Sequence, residues 1–252
     1  MCFFCVCLAL TSAVFAESEA STEKHDWYFK PCENEKQPSI DPKVDFLRKY
    51  DAFYAGKPDE KVIYLTFDVG YDNGYLESIL DTLKKENVPA AFFVTGAVFK
   101  NSTDAIRRMA NEGHLVCNHT DKHPDMSKIT DKAKFAAELD SLNEKYKEAT
   151  GCDMPKFYRP PMGCYSEQSL KFAKELGYKT VFWSFAYVDW YNDKQPAPQE
   201  AIKKIMSRTH PGMVALLHST SKTNVEILPQ IIAMWRERGY SFATLNELCA
   251  TD

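Results

Sequence analysis

Four ionisable residues of this chain adjoin short apolar segments, where buried strands would end. They are Asp68, Arg159, Asp189 and His218. A guanidinium lowers the pKa of a nearby carboxyl group, so Arg159 could keep Asp68 ionised as a general base. A carboxylate such as Asp189 could hold the pKa of His218 near neutral, ready to protonate a leaving nitrogen. Plainer alternatives are a turn-capping Asp68 and a His218 bonded to the backbone.

Two histidines, His119 and His123, are separated by three residues in a polar segment. At this spacing both imidazoles can bind one divalent ion, particularly if His123 begins a helical turn. Two imidazoles completed by water suit zinc, manganese or cobalt, so the residues do not choose among these metals. The alternative is a polar loop with two solvated imidazoles. Together with the four ionisable residues, the pair predicts a metal-dependent hydrolase.

Short apolar segments alternate with amphipathic ones from residue 61 onward. Predicted strands cover residues 62–67, 90–95, 115–118, 157–158, 180–183 and 214–217. Predicted helices cover residues 75–86, 103–111, 131–149, 167–176, 198–207 and 226–238. This alternation indicates an α/β fold with a parallel sheet that is closed or nearly closed. The carboxyl ends of the strands in such folds carry the chemistry, and the ionisable residues lie there.

Length and composition limit the class of protein. The 252 residues fit one domain of α/β-barrel size or two small domains. The formal net charge of −4 provides no basic field, and we therefore expect no nucleic-acid partner. Residues 17–60 are polar and contain four prolines, which predicts an extended N-terminal arm ahead of a catalytic domain at 61–252. The oligomeric state is left open.

The first 16 residues resemble a signal peptide, with a short apolar segment and a cleavage site near Ala16. The apolar segment is shorter than the ~20 residues that a membrane-spanning helix needs, so we expect no stable membrane insertion after cleavage. No Lys or Arg precedes Lys24, so the basic start of a signal peptide is missing. The alternative is an apolar N-terminal strand or helix. We expect an exported protein, secreted or held in the cell envelope.

Five segments, in order, resemble the motifs of the polysaccharide deacetylase family with a NodB-type catalytic domain, carbohydrate esterase family 4. The similarity extends over residues 61–248, and the segments are 66–68, 119–124, 159–163, 189–190 and 216–218. The family fold is a distorted (β/α) barrel of about seven strands, in agreement with the alternation of elements. The resemblance implies that Asp68 is the base, oriented by Arg159, and that His218 is the acid, tuned by Asp189. The implied metal ligands are His119 and His123.

The resemblance also implies a binding site for the sugar. Trp190 and Leu216 would form an apolar slot for the acetyl methyl group. Tyr187, Trp190 and Tyr191 form an aromatic group on which sugar rings could stack, although core packing is the alternative. The predicted substrate-binding residues are Trp190, Leu216, Pro161, Met162 and Tyr187.

Two positions depart from the family pattern. Many members have a second Asp as the third metal ligand where this chain has Val69, so we expect weaker and more exchangeable metal binding. The segment 66–74 nevertheless resembles a subgroup that acts on N-acetylmuramic acid in peptidoglycan strands, on the route to the muramic δ-lactam of spore cortex. That subgroup would have Arg where this chain has Met162, and Lys122 or Lys156 could replace its charge. The alternatives are a deacetylase of chitooligosaccharides or other polysaccharides, and a catalytically dead glycan-binding pseudoenzyme.

Overall fold

The computed structural model describes residues 20–250, and the predicted leader at 1–16 lies outside the described residues. The strands are β1 (His25–Asp26), β2 (Ala52–Phe53), β3 (Val62–Val69), β4 (Ala91–Val94), β5 (Leu115–Asn118), β6 (Phe157–Tyr158), β7 (Cys164–Tyr165), β8 (Lys179–Val181), β9 (Met213–His218) and β10 (Ser241–Phe242). The helices are α1 (Leu76–Glu86), α2 (Thr103–Asn111), α3 (Lys132–Thr150), α4 (Glu167–Glu175), α5 (Pro198–Arg208), α6 (Lys222–Glu237) and α7 (Leu245–Leu248).

Eight of these strands form one parallel sheet, in the order β10-β3-β4-β5-β6-β8-β2, with β9 also paired to β3. Two isolated bridges, Phe185 to Ala215 and Ala55 to Met213, join β9 to the chain beyond β8 and β2. The sheet therefore curls until its ends almost meet. The predicted distorted (β/α) barrel is confirmed, and the sheet adds two short strands, β2 and β10, to the six predicted from the apolar segments.

The long strand β3 lies at the centre because its side chains suit burial on both faces of a sheet. Seven of its eight residues are buried, as expected for a parallel strand covered by helices. Phe67 stacks on Phe92 of β4, with ring centroids 5.2 Å apart. The helices α1 and α6 pack against each other over this part of the sheet through Leu80 and Ile231 among others. This core fixes the strand ends that carry the ionisable residues.

The described part of the predicted arm lies against the barrel and contributes to its sheet. Residues 42–50 form a 3₁₀ helix, and Ala52–Phe53 then pairs with β8. Trp27 stacks on Phe182 with ring centroids 4.4 Å apart, and its indole nitrogen donates to the Trp183 carbonyl at 2.9 Å. Within residues 20–250 no helix is long and apolar enough to cross a lipid bilayer.

Candidate active site

The register of the parallel strands places the predicted site residues on one rim. Asp68 of β3 lies directly opposite His218 of β9. Asn118, the last residue of β5, pairs with β6, so His119 and Arg159 follow their strands at adjacent points. The structure therefore brings residues from distant parts of the chain to the carboxyl edge of the barrel, where such folds bind ligands.

Arg159 holds the Asp68 carboxylate from inside the barrel. The Arg159 guanidinium is fully buried and donates from Nη1 to Asp68 Oδ1 at 2.7 Å. Its other nitrogens donate to the carbonyls of Val181 and Phe182 at 2.9 and 3.2 Å, and its plane lies 4.0 Å from the Phe93 ring. Burial acts to raise the pKa of Asp68, but the charge and hydrogen bond of Arg159, together with the neighbouring His119 and His218, lower that pKa below its usual value. The carboxylate is therefore ionised at neutral pH and suited to act as a base.

A second pair joins His218 to Asp189. Nδ1 of His218 lies 2.6 Å from Asp189 Oδ1, and the His218 backbone N–H donates to Asp189 Oδ2 at 2.8 Å. Because a carboxylate only accepts, His218 carries its proton on Nδ1 and turns Nε2 away from Asp189. Burial acts to lower the pKa of His218, but the hydrogen bond to Asp189 and its charge raise that pKa above its usual value. His218 is therefore suited to donate a proton.

His119 and His123 lie together beside Asp68. Their ring centroids are 4.8 Å apart, and His119 Nε2 lies 3.5 Å from Asp68 Oδ2. His119 Nδ1 donates to the Arg159 carbonyl at 2.8 Å, so Nε2 carries the lone pair. Burial lowers the pKa of His119 to about 4 and also lowers the pKa of His123. Both imidazoles are therefore neutral at neutral pH, as metal ligands must be.

This arrangement fits a divalent ion with open coordination positions. The His119 lone pair faces the negative Asp68 carboxylate with no proton on either partner, so a cation there would relieve their repulsion. The Arg159 carbonyl fixes the tautomer of His119, as partners of metal-binding histidines commonly do. Among the described residues, no group of three or more His, Cys, Asp or Glu side chains could hold a metal ion. Protein ligands alone would therefore leave several positions to water and substrate.

Four of the five predicted substrate-binding residues lie at the rim or directly beneath it. Trp190 is 43% exposed, and its ring lies 5.4 Å from the His218 ring. Leu216 is buried two residues before His218, where it can form the floor of an apolar slot. Pro161 is buried two residues after Arg159, and the next residue, Met162, is exposed.

Tyr187 has a different position from the one predicted. It is buried in the core, so it presents no ring face to a sugar. Its hydroxyl donates to Oδ1 of Asn224, whose amide nitrogen donates to Asp189 at 2.7 Å. Tyr187 therefore supports the site from behind. Sequence reasoning missed Asn224, because a polar residue in the first turn of a helix gives no signal of its own.

An exposed bridge of polar contacts was also missed. Asn192 donates to the Tyr71 hydroxyl at 2.7 Å, and Asn73 donates to the Thr220 carbonyl at 2.9 Å. These contacts join the loop after β3 to the loops after β8 and β9. One of the residues in these contacts, Asn192, follows Trp190 by two residues.

Comparisons with known proteins agree with this geometry. The family profile described as "Polysaccharide deacetylase" matches residues 55–181. The peptidoglycan-N-acetylmuramic acid deacetylase PdaA of Bacillus subtilis is 42% identical over 98% of this chain and 95% of its own length. The structure of Bacillus subtilis PdaA, a family 4 carbohydrate esterase, superposes with a TM-score of 0.87 at 41% identity, covering 90% of this chain and 97% of that one.

More distant relatives are named for different properties. A peptidoglycan-N-acetylglucosamine deacetylase of Bacillus cereus is 33% identical over 82% of this chain and 74% of its own length. A family 4 pseudoenzyme of Bacillus anthracis superposes with a TM-score of 0.70 at 29% identity, covering 79% of this chain and 68% of that one. With 42% identity to PdaA over nearly its whole length, the chain belongs to the polysaccharide deacetylase family, carbohydrate esterase family 4, and is an enzyme of that class.

Proposed function

We propose that this enzyme removes N-acetyl groups from peptidoglycan, specifically from N-acetylmuramic acid, on the route to the muramic δ-lactam of spore cortex. The observation that carries the proposal is the pairing of Arg159 with Asp68 and of Asp189 with His218 on one rim. The 42% identity to a relative named for N-acetylmuramic acid supports the substrate. Such a substrate lies outside the cytoplasm, which agrees with the predicted export.

The proposed reaction is hydrolysis of an amide. The ionised Asp68 takes a proton from the attacking water while the water oxygen bonds to the acetyl carbon. His218 then gives a proton from Nε2 to the sugar nitrogen as the carbon–nitrogen bond breaks, releasing acetate and an amine. Arg159 keeps Asp68 charged, and Asp189 supports the positive charge of His218 before transfer. Trp190 and Leu216 would hold the acetyl methyl group.

We also propose that His119 and His123 hold a divalent metal ion. A bound ion would supply Lewis acidity to the acetyl carbonyl and the attacking water. Zinc, manganese and cobalt all suit two imidazoles with otherwise open positions. Because Val69 supplies no third carboxylate, we expect the ion to exchange more readily than in relatives with three ligands.

The muramic substrate requires a partner for its lactyl carboxylate. Met162 has no charge. Lys156 is engaged elsewhere, with its ammonium 4.3 Å from the centre of the Tyr178 ring. Lys122, in contrast, lines a cavity of about 540 Å³ that is also lined by His123. This shared cavity supports Lys122, rather than Lys156, as the proposed partner of the carboxylate.

The direct test measures acetate release and product masses from glycan strands that carry free lactyl groups, with chitooligosaccharides in parallel. Asp68→Asn should lower kcat by at least about 100-fold while glycan affinity stays within a few-fold, because only the base is lost. Asp193→Asn, an exposed carboxylate near Trp190, serves as the matched control and should keep full activity.

Three other outcomes would contradict, respectively, the proposed substrate, the proposed activity and the proposed metal ion. Release only from chitooligosaccharides would keep the chemistry and refute the muramic substrate. Glycan binding without release by the unaltered enzyme, even with added zinc, manganese or cobalt, would instead indicate a pseudoenzyme. Activity that survives a strong chelator without loss would refute the metal ion.

A further inference from the structure

Asn224 lies behind the Asp189–His218 pair, in the first turn of α6. It is fully buried, and its backbone N–H donates to the helix-capping hydroxyl of Ser221 at 3.1 Å. Its side-chain nitrogen donates to Asp189 Oδ2 at 2.7 Å and to the His218 carbonyl at 3.0 Å. Its side-chain oxygen accepts from the Tyr187 hydroxyl. Both donor hydrogens and the acceptor of this amide are therefore used.

The partners of Asn224 allow only one orientation of its amide. Asp189 and the His218 carbonyl present only acceptors, so the NH₂ group must face them. The Tyr187 hydroxyl can donate to the remaining oxygen. Rotating the amide by 180° would set its oxygen against a buried carboxylate and a carbonyl, leaving unpaired groups at a cost of ~1–3 kcal/mol each. Tyr187 thus orients Asn224, and Asn224 orients Asp189.

We propose that Asn224 is a positioning residue for the deacetylation reaction, which fixes the Asp189 carboxylate so that His218 is held as the proton donor. This inference rests on the proposed role of His218 as the acid. Asp189 is fully buried and accepts from the His218 backbone, the His218 ring and Asn224. Two of these three donors belong to His218, and the third belongs to Asn224. Without it, the carboxylate could turn about its axis and lose its alignment with Nδ1.

The surroundings of His218 define what the amide contributes. The negative charges of Asp189 and Asp68 favour the protonated ring, the positive charge of Arg159 opposes it, and the His123 imidazole also interacts with it electrostatically. Asn224 supports Asp189 without adding a positive charge that would compete with the imidazolium. A neutral donor therefore stabilises the carboxylate and preserves its full attraction for the protonated ring.

The test compares three variants by kinetics and by NMR titration of the His218 imidazole. Asn224→Leu keeps the number and branching of the side-chain heavy atoms and removes all three side-chain hydrogen bonds, whereas Tyr187→Phe removes only the hydroxyl that orients the amide. The matched control is Thr209→Val, which removes a buried hydroxyl just after α5. That hydroxyl accepts a hydrogen bond from Trp235, near the far end of α6, at 2.9 Å. Every variant is checked for folding by thermal unfolding.

We expect Asn224→Leu to lower kcat about 10-fold with KM changed less than about 3-fold, since positioning partners typically contribute this much. In this variant the alkaline limb of the pH profile of kcat should move to lower pH, and the NMR-measured pKa of His218 should fall, because the Asp189 charge is less well aligned with the ring. Tyr187→Phe should show a smaller change in the same direction, and Thr209→Val should show none. If Asn224→Leu fails to fold, the kinetics and the His218 titration of Tyr187→Phe test the positioning role of Asn224.

Unchanged kcat and an unchanged His218 titration in Tyr187→Phe and Asn224→Leu would overturn the proposal. Equal losses of activity in Thr209→Val, with no movement of the His218 titration in any variant, would also overturn it and indicate a merely structural effect. A His218→Ala variant distinguishes the proposed role of His218 as the acid from the proposed role of Asn224 in positioning. If His218→Ala keeps full activity, the proposed acid is wrong; if it is inactive, the Asn224 variants test positioning alone.

Discussion

At the scale of single residues, Met162 is the position where we expect specificity to change without a change in the chemistry. It is 58% exposed and lies two residues after Pro160 at the rim, so its side chain reaches solvent beside the site. Its φ of +59° is left-handed, a strain that Met and Arg share equally, so exchanging them should not change the backbone energy. An arginine here would add a fork-shaped cation that matches a carboxylate.

We therefore predict that Met162→Arg lowers KM for muramic substrates about 10-fold and leaves KM for chitooligosaccharides unchanged, because a charge-assisted hydrogen bond contributes ~1.5–3 kcal/mol. Lys122→Met should act in the opposite direction on the same substrates. Initial rates over a range of substrate concentrations check both variants, with Lys156→Met as the control. An equal change in KM for both substrate types would contradict the carboxylate explanation.

At the scale of elements, the predicted N-terminal arm packs against the barrel through contacts that its sequence pattern did not specify. Trp27 is 9% exposed, and its backbone N–H donates to the Gly163 carbonyl at 2.8 Å. The φ of Gly163 is +70°, and a Cβ there would lie 2.9 Å from both Trp27 and Trp183. The N-terminal segment therefore packs directly onto the turn that follows Arg159.

We predict that Trp27→Ala lowers the free energy of unfolding by about 3 kcal/mol, since truncating a buried tryptophan removes both packing and a hydrogen bond. The adjacent Tyr28 is 69% exposed, so Tyr28→Ala should change stability by less than about 0.5 kcal/mol. Urea titration measures both variants. Equal stability of the two variants would show that the packing of Trp27 does not stabilise the fold.

The strands and the two candidate catalytic pairs could be predicted from sequence because each depends on a local pattern. β3 is a continuous apolar segment, and Asp68 and His218 follow from the rule about strand ends. β2 could not be predicted, since its two residues become a strand only through pairing with β8. The burial of Tyr187 was missed for a related reason: an aromatic residue near a site has the same sequence pattern whether it faces a sugar or the core.

At the scale of the whole molecule, burial changes the protonation of several histidines at once. Burial lowers the pKa of His114 and His210 in the core as well as those of His119 and His123. A histidine with a lowered pKa binds fewer protons when folded than when unfolded. The free energy of unfolding therefore falls as pH falls from about 6.5, the unfolded pKa, towards about 4, the pKa of His119. The contribution of His218 to the free energy of unfolding has the opposite pH dependence. Because the folded-state pKa of His218 is raised, this contribution is present at low pH and is lost as pH rises through that pKa.

We accordingly predict that the metal-free protein has a Tm several degrees lower at pH 5 than at pH 7, because one kcal/mol shifts Tm by about 2–4 °C in a chain of this size. Calorimetry in the presence of a chelator measures the difference.

A substitution of His114, which lies away from the candidate active site, tests whether buried imidazoles cause this pH difference. The His114 ring accepts a hydrogen bond from the Ala90 backbone at 3.3 Å, and the side-chain oxygen of His114→Asn can replace that acceptor without titrating. The variant should show a smaller pH difference. Divalent metal should raise Tm more at pH 7 than at pH 5, because protons compete for His119 and His123. A Tm that is equal or higher at pH 5 would show that the buried imidazoles do not control the acid stability of this fold.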